Sequence, residues 1–215
     1  MPRLYPGHSF ARHGKHALYH LAEKPEIVGS LRDEIEAAIS ADGWTGPIAL
    51  GKMWKLDSFL REILRFHGVG LYSMGRMAMK DLTFSDGTRI PEGTLLNAQA
   101  YAMHHDDALL DSACTFDPFR FARMRSAEDQ LQGVKYLCTS TSPEYVPFGH
   151  GPYACVGRYF AANELKTILA HVILNFDMKL GGDGLRPPDI YYLTAIMPAP
   201  RGCVLFKKRE SPSSA

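Results

Sequence analysis

The chain has 215 residues, with 24 Lys and Arg against 23 Asp and Glu, giving a formal net charge of +1. Its 46% hydrophobic content supports a sizeable core, and with unremarkable glycine and four cysteines it excludes collagen-like, disordered and disulfide-scaffold classes. So even a charge balance creates no long-range field for nucleic acid or an anionic membrane surface, and neither is expected as a partner.

A membrane span needs ~20 consecutive apolar residues. The best run here, Ile168–Leu174, is broken by His171. Met1–His20 carries Arg3, His8, Arg12, His13, Lys15 and His16 and lacks the apolar core of a secretory signal. The chain reads as soluble and intracellular. Cys114, Cys138, Cys155 and Cys203 form no CxxC pair and read as reduced thiols.

In chain order, Pro2, Pro6, Gly7 and Gly14 interrupt Met1–Lys15, where no element is predicted. Helical spacing starts near His16, with Leu18 and Leu21, and continues through Ile27, Leu31, Ile35 and Ile39 in a second helix begun by Pro25. His13, His16 and His20 share near-helical spacing without a Cys, Asp or Glu ligand pattern to complete them. They read as a wet basic helix face rather than a zinc site. Asp42-Gly43 and Gly46-Pro47 mark a loop, and a third helix runs from about Leu50 to Phe66 on a stripe of Leu56, Phe59, Leu60, Ile63 and Leu64.

The period then changes. Leu71–Met79 and Leu82–Phe84 read as strands, and Ser85-Asp86-Gly87 turns into Thr88–Ile90. Pro91-Glu92-Gly93 leads to the apolar run Thr94–Ala102, after which His104–Pro147 is irregular, a stretch long enough to suggest function. A strong helix follows over Arg158–Phe176, with Ala161, Leu165, Ile168, Leu169, Val172 and Phe176 on one face. Gly181-Gly182-Asp183-Gly184 ends it, and strands are predicted over Ile190–Met197 and Cys203–Lys207. The class is α+β, mainly α, without an internal repeat or an interdomain linker.

The segment richest in chemistry is Phe148-Gly149-His150-Gly151-Pro152-Tyr153-Ala154-Cys155-Val156-Gly157-Arg158. Its glycines let backbone approach a ligand closely. The start of the following helix favours an anion, so Cys155 is expected as a thiolate, with Phe148 shielding its apolar side. Such a sulfur meets the requirements of an axial haem-iron ligand. For an isolated cysteine the plainer alternative is a small buried hydrophobe.

The segment resembles the cysteine-ligand loop of the cytochrome P-450 superfamily, Phe-x-x-Gly-x-(Arg or His)-x-Cys-x-Gly, through Phe148, Gly151, Cys155 and Gly157. Gly149 lies within the same loop. Tyr153 stands where the family usually has a cation for a haem propionate; a phenol donates one hydrogen bond and carries no positive charge. Glu62-Ile63-Leu64-Arg65 is similar to the family's Glu-x-x-Arg signature, and Pro118-Phe119-Arg120-Phe121 to its Pro-x-Arg-Phe segment. The resemblance implies a triad of Glu62, Arg65 and Arg120 that locks the irregular stretch to the helix. It also implies propionate partners at Arg76 and at His104, the latter in a His-x-Asp-like segment. The wording Phe-Gly-His-Gly and the turn Phe84-Ser85-Asp86-Gly87 resemble fungal members.

The resemblance implies the C-terminal part of that fold, roughly two-fifths of a member. The domain covers 19–207, preceded by an unmatched segment 1–18 and followed by a flexible tail 208–215. By family, the cofactor is haem (iron protoporphyrin IX) and the reaction a monooxygenation of an apolar small molecule, with electrons from an NADPH-dependent reductase. Many members reside at the endoplasmic reticulum membrane. The membrane anchor and the distal helix with its acid–threonine pair lie earlier in the family's sequences; Met1–His20 has no threonine. The alternative expectation is therefore a truncated, non-catalytic remnant that binds haem weakly or not at all.

Overall fold

The computed structural model of the chain describes residues 6–44, 47–128 and 133–210. Met1–Tyr5, Gly46 and the tail Ser211–Ala215 lie outside them. The helices are α1 (Pro6–Glu23), α2 (Pro25–Asp42), α3 (Pro47–Lys52), α4 (Trp54–Phe66), α5 (Ala100–His104), α6 (Arg120–Ser126) and α7 (Arg158–Asn175). Among the described residues four two-stranded antiparallel sheets accompany them: β1 (Ser73–Met77) with β4 (Leu95–Ala98), β2 (Leu82–Thr83) with β3 (Arg89–Ile90), β5 (Phe176–Leu180) with β8 (Val204–Lys208), and β6 (Ile190–Tyr192) with β7 (Ala195–Met197). No helix among the described residues is long and apolar enough to cross a membrane.

Several boundaries differ from the sequence reading. α1 begins at Pro6, not near His16. A proline is harmless at a helix start, where its missing N–H has no partner to lose. Gly14 does not break the helix either: a Cβ there would sit 3.6 Å from Leu165 Cδ2, so the glycine brings α1 close to α7. The predicted helix from Leu50 to Phe66 is two helices parted at Met53, where ψ is 72° and the side chain is buried. The α4 start is capped from another element, since the Lys55 and Leu56 amides donate to the Glu34 carboxylate at 2.7 and 3.1 Å. That carboxylate supplies acceptors for two of the orphan amides of a helix N-terminus.

Thr94–Ala102 leaves its strand at Ala98 and enters α5. The long helix stops at Asn175, one residue before its predicted end, and a strand that the sequence reading lacks, β5, follows; Met178 and Leu180 alternate inward there, and Phe176↔Lys208 through Leu180↔Val204 set its register with β8. The buried face of α7 is Ala162, Leu165, Lys166, Leu169, Ala170 and Ile173, while Ile168 is exposed. Packing against α1 and α2 selects that face, and Arg32 of α2 fixes the crossing by donating to the Ile173 carbonyl at 3.0 Å. At the far end of the chain, Tyr19 donates to the Ala199 carbonyl at 2.9 Å and Lys15 to that of Pro200 at 3.2 Å.

Helix α4 is the centre of the fold: Leu56 to Arg65 are all buried, charged residues included. Those charges are matched. Lys166 pairs with Asp57, whose other oxygen accepts the Cys138 amide at 2.8 Å. Arg61 lies over the Tyr145 ring at 3.7 Å and donates to the Leu137 carbonyl. Arg65 makes a two-pronged contact with Glu62 at 2.8 and 2.7 Å, and Arg120 Nε reaches the same carboxylate at 3.5 Å. Glu62 also accepts the Asp117 amide at 3.0 Å. The irregular stretch is thereby fastened to α4: Arg65 donates to the carbonyls of His104 and Ala113, and Arg120 to those of Asp111, Ser112 and Thr115.

Substituting Glu62→Gln leaves two buried guanidinium groups short of a counter-charge, which costs about 3–5 kcal/mol. Urea unfolding should show a loss of that size, and a loss under about 1 kcal/mol would mean that the network is solvated after all. His104 gives a pH test. Its buried Nε2 accepts the Val146 amide at 3.2 Å, and burial, helped by the Arg65 charge, lowers its pKa from 6.5 to about 4. Below pH 6.5 the unfolded chain therefore binds a proton that the folded one refuses until about pH 4. Stability is full above that range and falls within it by on the order of 1 kcal/mol per pH unit. Denaturation midpoints should drop between pH 7 and pH 5, and less steeply in His104→Gln; equal slopes would show that folding does not lower the His104 pKa.

Candidate functional site

The glycine-rich segment forms a tight loop entering α7. Gly149 and Gly151 adopt φ of +70° and +71°, a region that L side chains rarely occupy. A 3-10 turn at Gly151–Tyr153 is closed by the Ala154 amide on the Gly151 carbonyl at 3.1 Å. The Cys155 amide donates to the Phe148 carbonyl at 2.8 Å, so the two ends of the loop meet. Phe148 packs against the core and anchors the apolar side. Cys155 is exposed, and a Cβ on Gly157 would come within 3.9 Å of its sulfur. Gly157 precedes the first turn of α7, whose Ala161 amide it accepts at 2.9 Å.

Two residues of the loop make contacts that the sequence does not predict. Arg158 donates to the Cys155 carbonyl at 2.9 Å and to the Thr139 carbonyl at 3.1 Å, clamping the loop to the segment beneath it. Thr141 Oγ1 and His150 Nδ1 lie 3.0 Å apart. Arg158 closes the recognised segment, but nothing local reveals a partner near residue 139; His150 likewise meets its partner only through folding.

Arg76 lies on β1, exposed, with its guanidinium 5.0 Å from the centre of the Tyr153 ring. Cation and phenol are thus brought together beside the loop. His104 instead is buried at the end of α5, where it holds the backbone that leads into Phe148. Glu62, Arg65 and Arg120 meet as one buried cluster away from solvent. Close to Cys155 in the chain, large apolar side chains are exposed: Val156 is 94% exposed, Tyr153 80% and Phe160 73%. Protein surfaces seldom present such a group of large apolar side chains without something to cover it.

An exposed thiol, glycines that admit a flat ligand, an apolar surround and a neighbouring guanidinium for carboxylates form a donor set that fits haem held through sulfur. The same residues do not resemble a structural zinc site, since no other cysteine shares the loop.

His13, His16 and His20 are not a wet face: all three are buried, and His16 stacks on His67 with ring centroids 4.1 Å apart. Helical spacing showed that they share a side of α1, but not that this side turns toward the end of α4.

Comparison with known proteins agrees with this geometry. The family model for cytochrome P-450 matches residues 14–206. A cytochrome P-450 monooxygenase of Ganoderma lucidum is 58% identical over 93% of this chain and 38% of its own length. Another from Postia placenta is 50% identical over 91% of the chain and 39% of its own. An ent-kaurene oxidase of Gibberella intermedia is 38% identical over 94% of the chain and 39% of its own. The chain therefore spans about two-fifths of the length of these curated relatives. With the match running through both the α4 cluster and the cysteine loop, the chain belongs to the cytochrome P-450 family.

Proposed function

We propose that Cys155 is the axial thiolate ligand of a haem and that the chain serves a monooxygenase acting on an apolar small molecule. The observation that carries the reading is the exposed Cys155 sulfur just before α7, with the exposed Tyr153, Val156 and Phe160 close to it in the chain. Haem bound in this way supplies redox chemistry that inserts one atom of O2 into the substrate and reduces the other to water, with two electrons from NADPH through a reductase. The chain's own residues bind and orient. Arg158 and the Phe148 carbonyl fix the loop so that the sulfur does not swing with the backbone. Gly149, Gly151 and Gly157 keep side chains from crowding the ligand face. Arg76 offers a charge for one propionate, and Tyr153 adds a single phenolic donor. Val156 and Phe160 provide apolar contact for the macrocycle.

The openness of this face favours a second reading for the 215-residue polypeptide by itself: haem is contacted from the cysteine side and substrate is not turned over. The two readings share their first test. After reconstitution with hemin and reduction under carbon monoxide, the Soret band should be red-shifted as thiolate ligation requires, and Cys155→Ser should lose that shift; an unshifted band in the parent removes Cys155 from its role. Turnover of an apolar substrate with reductase and NADPH then separates them, because product formation by this chain excludes the second reading.

The propionate assignment is tested separately. Arg76→Ala should speed haem loss roughly fivefold, as for a partly exposed charge pair. Tyr153→Arg should slow it. Transfer of haem to apomyoglobin measures both rates, and an unchanged rate in Arg76→Ala would leave Tyr153 as its aromatic partner alone.

A further inference from the structure

Beneath α1, far in sequence from the cysteine loop, a second constellation has metal-ligand chemistry. A ring nitrogen of His16, one of His67 and a carboxylate oxygen of Asp189 all lie within 4.8 Å of one another. They come from α1, the residue that ends α4, and the segment before β6. Both histidines are 1% exposed. His67 Nδ1 is 2.6 Å from Asp189 Oδ2, and His16 Nδ1 is 3.6 Å from Asp189 Oδ1.

Two features of the hydrogen bonding point to a cation. A neutral imidazole always carries one N–H, yet neither nitrogen of buried His16 has a hydrogen-bond partner. The second feature is the direction of the protons. If His67 Nδ1–H donates to Asp189, its Nε2 must accept from His20 Nε2, 2.7 Å away. His20 Nδ1 is then a bare lone pair facing the Glu23 carboxylate at 3.7 Å. An ion on His67 Nδ1 reverses the run: His67 Nε2–H donates to His20, and His20 Nδ1–H turns its proton toward Glu23. Metal-bound histidines commonly donate their second N–H to such a partner.

We propose that His16, His67 and Asp189 form a site for a divalent transition ion of the zinc class, with His20 as the positioning residue behind His67. Two imidazoles and one carboxylate suit zinc and its neighbours better than calcium or magnesium, which take oxygen ligands. In the structure the His16 and His67 rings are stacked, 10° from parallel, so their in-plane lone pairs do not converge. Loading therefore turns His16 out of the stack, the side chain with no hydrogen bond to break. Arg186 Nη1 stands 3.6 Å from Asp189 Oδ1 and its Nε 3.5 Å from Glu23, so the ion competes with one guanidinium while Glu23 supplies a second negative charge.

The test is titration of the chelator-treated 215-residue chain with cobalt(II), followed by zinc-dependent thermal unfolding. One equivalent of cobalt should bind with visible d–d bands and without the near-ultraviolet thiolate charge-transfer band, and zinc should raise Tm. Asp189→Asn and His16→Phe should each weaken cobalt binding at least about tenfold with unchanged far-ultraviolet circular dichroism, and His20→Phe by a similar factor through His67. His171→Gln, on the exposed side of α7, should bind as the parent does. A thiolate band, no saturable binding, or parent-like affinity in Asp189→Asn overturns the proposal. Should a substitution unfold the chain, X-ray absorption of the zinc-loaded parent decides: neighbours at ~2.0–2.1 Å are required, and sulfur at ~2.3 Å overturns it.

Discussion

Around the carboxylate of Glu62, two guanidinium groups and one backbone amide converge at 0% exposure. Bringing these charges out of water is costly, and only close pairing makes it tolerable. What the arrangement supplies in return is donors. The stretch between α5 and α6 makes no ladder of its own, and buried carbonyls without partners would destabilise it. Arg65 and Arg120 meet four of those carbonyls and that of His104 at the end of α5, and Arg61 does the same for Leu137 and Ser140 beyond α6. Irregular backbone is thereby made as fixed as a strand.

That fixed stretch is the foundation of the cysteine loop. Arg61 stacks on Tyr145, and the neighbouring Val146 is held on both sides, its amide by His104 and its carbonyl by the Ser73 hydroxyl at 3.1 Å. Phe148 follows two residues later and accepts the Cys155 amide. The sulfur's position is thus traceable through short contacts to the middle of α4. A disturbance at Arg61 or His104 should reach the loop even though neither side chain touches it.

What could be read from the sequence was local in origin. Pro25 opening α2, the turn at Ser85–Gly87 between β2 and β3, and the glycine spacing around Cys155 express preferences of residues close together in the chain. Failures arose where a distant element decided. Glu34 of α2 caps α4 and lets the chain break at Met53. Partners α1 and α2 rotate the buried face of α7 away from Ile168. Strand β5 is missing from the sequence reading because Phe176 continues the helical stripe of α7, and the strand is defined by its pairing with β8. The histidines of α1 are hidden from a sequence reading because His67, and for His16 also Asp189, 173 positions beyond it in the numbering, meet them only in space.

The bonds from Tyr19 to Ala199 and from Lys15 to Pro200 carry a kinetic implication. They join segments about 180 residues apart, so α1 gains these contacts only once residues 199 and 200 have left the ribosome. Closing so large a loop is entropically expensive and slow. During synthesis α1 can pack on α2 and α4 well before these two bonds close, so its fastening to the Ala199–Pro200 segment is among the last contacts to form.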